Sequence, residues 1–184
     1  MRVISGKYRG AKLYSPLDDR VRPTTDRIKE SVFNILSNHI KFYDAKALDL
    51  FSGSGALGVE MLSRGAGYVA FVDHDRDSIN LTQANLEKIK APKESYGIFP
   101  VEYDFALKKL AGAGMDVIFV DPPYALKIES RVLDLICKYD VLAENGIVVV
   151  EHDYKNVVEN DKFDCDCRKM GNTSVSFMTR KVQK

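Results

Sequence analysis

The stretch DLFSGSGALG, residues 49–58, decides the fold of this chain. The apolar run over 47–50 predicts a strand before the glycines, and the residues after them predict a helix that ends at about residue 64. Gly53 and Gly55 therefore lie in a tight turn, where the absence of a Cβ lets the backbone approach a ligand closely. The first amides of the helix carry unpaired N–H groups, so this turn predicts a ligand-binding site.

Beyond this turn, strands and helices alternate as in a doubly wound α/β, Rossmann-like sheet. The fourth and fifth strands are nearly continuous apolar runs, which is typical of parallel strands covered on both faces. Two alternating segments around Gly171 and Asn172 predict an antiparallel C-terminal hairpin. The predicted strands are 47–50, 68–73, 98–101, 116–121, 147–151, 163–169 and 174–180, and the later helices are 75–90, 105–110 and 128–139.

The residues before the sheet predict an N-terminal extension. Residues 2–14 predict a short β-hairpin that turns at Ser5-Gly6-Lys7. A helix follows, with Thr25 as its N-cap, and its apolar residues recur at helical spacing: Ile28, Val32, Ile35 and Leu36. We therefore expect two units, an extension over 1–40 and a ligand-binding domain over 41–184.

Charge is unevenly distributed along the chain, although its net value is only +1. Residues 1–12 carry four basic side chains and no acidic one, and residues 168–184 carry five basic side chains and no acidic one. The stretch between them is acidic, so the two ends are the candidates for binding phosphate. The alternative is that these lysines and arginines only keep the ends soluble.

Composition argues against several classes of protein. An apolar fraction of 45% is enough for a sizeable core, which argues against global disorder. No apolar run approaches the roughly 20 residues that cross a bilayer, and the first residues lack the apolar run of a secretory signal. The three cysteines, Cys137, Cys165 and Cys167, form neither a disulfide framework nor a zinc-ligand pattern. We expect a cytoplasmic protein with reduced thiols, no metal and no membrane contact.

The glycine turn is compatible with two kinds of cofactor. Gly53, Gly55 and Gly58 match a dinucleotide-binding turn, and Asp73, 20 residues beyond Gly53, lies where a ribose diol would bind. Asp49 separates the two possibilities. At an effective dielectric constant of about 20, the repulsion between its carboxylate and a pyrophosphate about 4 Å away would cost about 4 kcal/mol per unit charge. S-adenosylmethionine instead brings an ammonium and a sulfonium group. The turn therefore favours S-adenosylmethionine over a nicotinamide or flavin cofactor.

Further residues are predicted to bind this cofactor. Asp104 and Phe105 follow the third strand, where the carboxylate could accept from the adenine amino group while the ring covers the adenine face. The alternative is that Asp104 caps the following helix. His74 could touch adenine or only face solvent, and Phe51, within the turn, is also assigned to the cofactor.

The tetrad Asp121-Pro122-Pro123-Tyr124 ends the fourth strand, where ligands of open α/β sheets bind. An exocyclic amino group on a base is a poor nucleophile, because its lone pair is delocalised into the ring. If the Asp121 carboxylate and the Pro122 carbonyl hold its two hydrogens, the nitrogen can pyramidalise and attack a methyl group. Tyr124 offers a face for stacking the base, which contributes about 1–3 kcal/mol. The alternative is a turn that only ends the strand.

These motifs together resemble the RsmD family, bacterial methyltransferases that modify guanine N2 in small-subunit (16S) ribosomal RNA. The resemblance covers nearly the whole chain, and its most specific part is RPTTDRIKESVFNIL, residues 22–36. Two departures stand out: Ala11 replaces a residue that is often basic in the family, and Asp73 replaces a longer Glu. The resemblance implies a class I methyltransferase sheet with S-adenosylmethionine as cofactor.

The resemblance also implies a role for each candidate residue. The cofactor would be held by Asp49, Phe51, Gly53, Gly55, Asp73, His74, Asp104 and Phe105. The target base would be held by Asp121, Pro122 and Tyr124. The mouth of the pocket would be shaped by Arg22, Thr24, Thr25 and Arg27, and RNA would be gripped by Arg2, Lys7 and Arg9 of the hairpin.

Other functions remain open from the sequence. An adenine-N6 DNA methyltransferase shares the logic of the tetrad but usually needs a separate DNA-reading domain. A protein-amide methyltransferase, a nicotinamide-dependent enzyme and a non-catalytic RNA-binding assembly factor are further alternatives. The sequence does not tell which guanine is modified, whether the substrate is naked RNA or an assembling 30S particle, or whether the chain acts as the monomer that we take as default.

Overall fold

The computed structural model of the chain describes residues 1–16, 26–123 and 126–181. The strands are β1 Lys46–Asp49, β2 Tyr68–Asp73, β3 Tyr96–Pro100, β4 Met115–Val120, β5 Leu142–Asp153, β6 Phe163–Met170 and β7 Thr173–Arg180. The helices are α1 Asp26–Leu36, α2 Ala56–Ser63, α3 Arg76–Lys88, α4 Tyr103–Lys109 and α5 Glu129–Lys138, with a short 3-10 helix at Lys93–Ser95.

The strands form one sheet in the order β3-β2-β1-β4-β5-β7-β6. β1 to β5 are parallel, and β7 pairs antiparallel with both β5 and β6. The predicted doubly wound α/β sheet with an antiparallel C-terminal hairpin is therefore confirmed. No helix in the described part of the chain is both long and apolar enough to cross a bilayer.

Two layers of helices cover the sheet, because successive side chains of each strand point to opposite faces. On one face, α1 and α2 bury Phe33 and Val59 against strand residues such as Phe119. On the other face, α4 and α5 bury Leu107 and Leu133 against the alternate strand residues. The odd-numbered positions of β1, β4 and β5 thus face α1 and α2, which decides where the side chains after these strands point.

β5 and α4 are two of the elements that begin earlier than predicted. β5 begins at Leu142, which pairs with Met115 before an irregularity in the ladder, whereas the sequence predicted a start at 147. The polar residues Glu144 and Asn145 interrupt the apolar run there, so the hydrophobicity pattern does not predict the first half of β5. α4 begins at Tyr103 with Glu102 at the N-cap position, so the alternative of Asp104 as helix cap is wrong.

The N-terminal hairpin is present in a minimal form. Its arms pair through one bridge, Arg2 to Lys12, and the chain between them forms turns over residues 5–10, wider than the predicted Ser5-Gly6-Lys7 turn. The arms are tied by hydrogen bonds from the Val3 N–H to the Ala11 carbonyl (2.9 Å) and from the Gly10 N–H to the Val3 carbonyl (2.9 Å). Thr25, the predicted N-cap of α1, lies outside the described residues.

A buried ion pair fixes this extension on α2. The Lys29 ammonium and the Glu60 carboxylate are 3.5 Å apart, and neither side chain is exposed. Glu60 also accepts from the Ile4 and Ser5 N–H groups, while Lys29 donates to the Arg2 carbonyl at 2.6 Å. Hydrogen bonds to charged groups are stronger than neutral ones, so this cluster is the main polar anchor of the extension.

Candidate active site

The glycine turn connects β1 to α2 and has the backbone that the sequence predicts. Gly53 (φ +52°) and Gly55 (φ +74°) adopt left-handed conformations, which glycine reaches without steric cost. Gly58 is needed for a different reason: a Cβ there would lie 2.2 Å from Cε1 of the Phe71 ring. The glycines of the turn thus serve two purposes: two of them allow left-handed backbone conformations, and the third allows α2 to pack closely against β2.

Polar side chains of α3 hold the turn in place. The Thr82 hydroxyl donates to the Gly53 carbonyl (2.9 Å), and the Asn85 amide donates to the Ser54 carbonyl (2.8 Å). Both side chains are fully buried. The sequence analysis did not single them out, although two polar residues three positions apart on the apolar face of a helix were a usable signal.

Asp73, at the end of β2, braces the same turn. Its Oδ2 accepts from the Gly53 N–H and its Oδ1 from the Asp75 N–H, both at 2.9 Å. A carboxylate has about four lone-pair sites, so both oxygens can still accept from a ribose hydroxyl. His74 lies beside it, with Nδ1 3.9 Å from Asp73 Oδ1, and is largely exposed.

Asp49 is buried at the end of β1. Only 3% of it is exposed, and its Oδ2 accepts from the Gly58 N–H at 3.0 Å. Burial raises the pKa of Asp49 to about 7, the Gly58 hydrogen bond opposes this shift, and the Asp73 carboxylate adds to it. Asp49 therefore makes a contact with the start of α2 that the sequence did not predict. Because the side chain is buried, it can act on a bound cation through its charge rather than through direct contact.

Asp121 follows β4 on the same face of the sheet as Asp49. The register pairs Asp49 with Phe119, and alternation places Asp121 on the α1 and α2 side, one step beyond Phe119. Its carboxylate lines a small pocket with Val32 of α1, Leu57 of α2, Val120, Val149, Glu151 and Val175. Burial raises the pKa of Asp121 well above its usual value, and the carboxylates of Glu151 and Asp49 raise it further. Asp121 and Asp49 thus lie on one face of the sheet, and the pocket beside Asp121 reaches Leu57 at the start of α2.

The remaining predicted site residues are placed as follows. Pro122 is buried after Asp121, and Tyr124 lies outside the described residues. Phe51 packs against Tyr103 with ring centroids 5.5 Å apart. Asp104 is exposed and accepts from the Phe105 N–H at 2.7 Å, and 58% of Phe105 is exposed. An exposed aromatic ring after β3 is consistent with the predicted cover for adenine.

The predicted RNA-binding residues are spread over the extension. Arg2 is paired with Asp26 at 3.4 Å, while Lys7, Arg9 and Arg27 are exposed. The Lys7 N–H donates to the Ser63 carbonyl at the end of α2, so the basic turn lies about 12 Å along that helix from the glycine turn. The other predicted residues at the mouth of the pocket, Arg22, Thr24 and Thr25, lie outside the described residues.

Comparisons with known proteins identify the family of the chain. The family model described as "Conserved hypothetical protein 95" matches residues 1–179. The "Ribosomal RNA small subunit methyltransferase D" of Haemophilus influenzae is 35% identical over 152 residues, 82% of this chain and 78% of that protein. The chain belongs to the RsmD family.

The other relatives cover a similar share of the chain. YlbH of Bacillus subtilis is 40% identical over 155 residues, 83% of each protein. The solved structure of yhhF from Escherichia coli superimposes with a TM-score of 0.86 at 31% identity, over 100% of this chain and 99% of that chain. Membership of the RsmD family thus extends to the N-terminal extension as well as to the sheet.

Proposed function

We propose that this RsmD-family chain transfers a methyl group from S-adenosylmethionine to the exocyclic N2 of a guanine in small-subunit (16S) ribosomal RNA. The observation that carries the proposal is the position of Asp121, beside Asp49 and the glycine turn on one face of the sheet. The name of the Haemophilus influenzae relative supports ribosomal RNA methylation. The choice of guanine N2 follows from the resemblance, whereas the chemistry of the tetrad supports an exocyclic amino group in general.

The residues around the glycine turn fit S-adenosylmethionine. The left-handed backbone at Gly53 and Gly55 lets the chain approach the cofactor closely at the N-terminus of α2, where free N–H groups can bind its carboxylate. Asp73 is the acceptor for the ribose hydroxyls, and the exposed Phe105 ring covers adenine. The buried charge of Asp49 favours the ammonium group. The bound cofactor supplies an electrophilic methyl group on its sulfonium.

Asp121 and Pro122 activate the amino group of the base. The Asp121 carboxylate and the Pro122 carbonyl each accept one hydrogen, which lets the nitrogen pyramidalise towards the methyl group. Positive charge then develops on that nitrogen, and a pre-aimed carboxylate stabilises it. Because burial and two neighbouring carboxylates raise the pKa of Asp121, this side chain can also take the proton that the methylated nitrogen releases. Tyr124 is assigned to stacking of the base.

RNA is proposed to bind through basic side chains of the extension. Lys7, Arg9 and Arg27 are exposed and can contact phosphate, and Arg2 is partly engaged by Asp26. We take the chain as a cytoplasmic monomer that acts on small-subunit RNA, either naked or within an assembling 30S particle.

The test is transfer of a labelled methyl group to small ribosomal subunits, naked small-subunit RNA or duplex DNA, followed by digestion to nucleosides. We expect N2-methylguanosine from small-subunit RNA, lost in Asp121→Ala and unchanged in the exposed control Asp161→Ala. Label in DNA adenine would replace the proposal with adenine-N6 methylation. No label anywhere, with the cofactor still bound, would point to an assembly factor.

A further inference from the structure

Glu151, near the end of β5, lies on the same face of the sheet as Asp49 and Asp121. The register pairs Phe119 with Val149 and Val120 with Val150, so the next residues on the two parallel strands are Asp121 and Glu151. Adjacent strands lie about 4.8 Å apart. Val149 shares its face of the sheet with Phe119, and the alternation carries Glu151 to the same face as Asp121. The sequence analysis did not assign Glu151 to the site.

The two acidic residues line one small pocket. Asp121 and Glu151 both line the small pocket closed by Val32, Leu57 and Val175. The Thr173 hydroxyl has one proton and two acceptors within reach, the His152 carbonyl at 2.9 Å and Glu151 Oε1 at 3.4 Å, and Thr173 is itself fully buried. Glu151 therefore lies beside a buried hydroxyl, and a carboxylate offers about four acceptor sites for hydrogen bonds.

Two carboxylates side by side in an apolar pocket repel each other unless hydrogen-bond donors lie between them. Burial and the charge of Glu151 are the two largest causes of the raised pKa of Asp121, which is the signature of this repulsion. A ligand with two adjacent N–H donors would be attracted to this pair of carboxylates. A ligand that presents a lone pair to Glu151 would be repelled by it.

Guanine has these two donors on its Watson–Crick edge: the ring N1–H and the exocyclic amino group at C2. Adenine and cytosine present an amino group next to an unprotonated ring nitrogen. We propose that Glu151 accepts the N1–H of the target guanine while Asp121 accepts a hydrogen of its N2 amino group, so that the pair selects guanine. This inference rests on the proposed function, because it concerns the same target base.

The test separates recognition of N1–H from general activity. The substrate is small-subunit RNA in which the guanine that the wild type methylates is replaced by 2-aminopurine. 2-Aminopurine keeps the amino group at C2 but has a lone pair at N1. In Glu151→Gln, the amide can turn its NH2 towards that lone pair, so the preference for guanine over 2-aminopurine should fall.

We expect the ratio of kcat/KM for guanine over 2-aminopurine to fall by about 10- to 100-fold in Glu151→Gln, since a site built around a donor discriminates against bases that lack it. The matched control is Glu144→Gln, which changes an exposed glutamate near the start of β5 and should leave the ratio unchanged. Thermal unfolding of both variants checks that the fold is intact.

The outcomes distinguish the inference from the proposed function. If the wild type methylates guanine N2 but Glu151→Gln lowers kcat/KM equally for both bases, or leaves both unchanged, Glu151 does not read N1–H and the inference fails alone. If the wild type methylates no guanine in any small-subunit substrate, the proposed function and the inference fail together.

Discussion

If Asp49 favours the cofactor's ammonium group as proposed, the protonation of this one buried side chain is coupled to cofactor binding. Its pKa of about 7 places the change of charge near neutral pH, where small changes in the medium alter it. The Gly58 N–H contact shows that the same side chain also positions the start of α2. Charge and position therefore depend on one residue.

We expect binding of S-adenosylhomocysteine, which keeps the ammonium group, to weaken as the pH falls through 7 and to level off above it. Protonation of Asp49 removes the negative charge that favours the ammonium group. Below pH 7 the Kd should therefore rise by up to about tenfold per pH unit. Isothermal titration calorimetry between about pH 5.5 and about pH 8.5 measures this change in Kd. Asp49→Asn should bind more weakly and lose the pH dependence. A wild-type Kd that is independent of pH would contradict this role.

Gly58 is a residue whose side chain must be absent. Replacement by Ala would normally stabilise a helix by about 1 kcal/mol. The Cβ would lie 2.2 Å from the Phe71 ring, so we expect Gly58→Ala to destabilise the protein by about 1–3 kcal/mol in urea unfolding. The double variant with Phe71→Leu, which removes the ring atoms in the way, should recover part of this loss relative to Phe71→Leu alone.

At the level of elements, the sequence predicted most of the sheet but not how the extension docks on it. Strands such as β4 are continuous apolar runs, so local pattern was enough to find them. Lys29 and Glu60 are 31 positions apart, and nothing local distinguishes this buried pair from the exposed charges around it. Contacts of this kind depend on packing between elements, which periodicity does not report.

Lys29→Met tests the anchor of the extension. It removes the cation beside a buried Glu60, and breaking a buried pair by removing one partner costs about 3–5 kcal/mol. We expect the low end of that range from urea unfolding, because Arg64 still contacts Glu60 at 2.9 Å. Lys41→Met, at an exposed position, should change stability by less than about 0.5 kcal/mol. Equal stability of the two variants would show that the pair contributes nothing to the anchor.

At the scale of the whole molecule, the site could be predicted in parts but not as an assembly. Asp49 and Asp73 end their strands and Asp121 directly follows its strand, so the topology of a parallel sheet was enough to bring them to one edge. Glu151 was not predicted as a site residue, because its position beside Asp121 depends on the register between β4 and β5. The distance of Lys7 and Arg9 from the glycine turn could not be predicted either, since it depends on where the extension packs.

The basic turn of the extension gives a prediction for RNA binding as a whole. The double variant Lys7→Ala/Arg9→Ala should weaken RNA binding and reduce the slope of log K against log salt by about 2, because two phosphate contacts are lost. Filter binding at several salt concentrations measures it. Lys109→Ala/Lys138→Ala removes the same charge from the ends of α4 and α5, on the opposite face of the sheet, and should leave the slope unchanged. Equal slopes for the two double variants would place the RNA elsewhere.

The position of β7 has a consequence for how the chain folds during synthesis. β7 comes last along the chain but lies between β5 and β6, so neither of those strands has its partner while the ribosome still holds the segment from Thr173 onwards. Until that segment emerges, β5 presents an unpaired apolar edge that invites association with other nascent chains. A chain stopped before Thr173 would keep this edge permanently, and we expect it to aggregate even though its glycine turn and tetrad are complete.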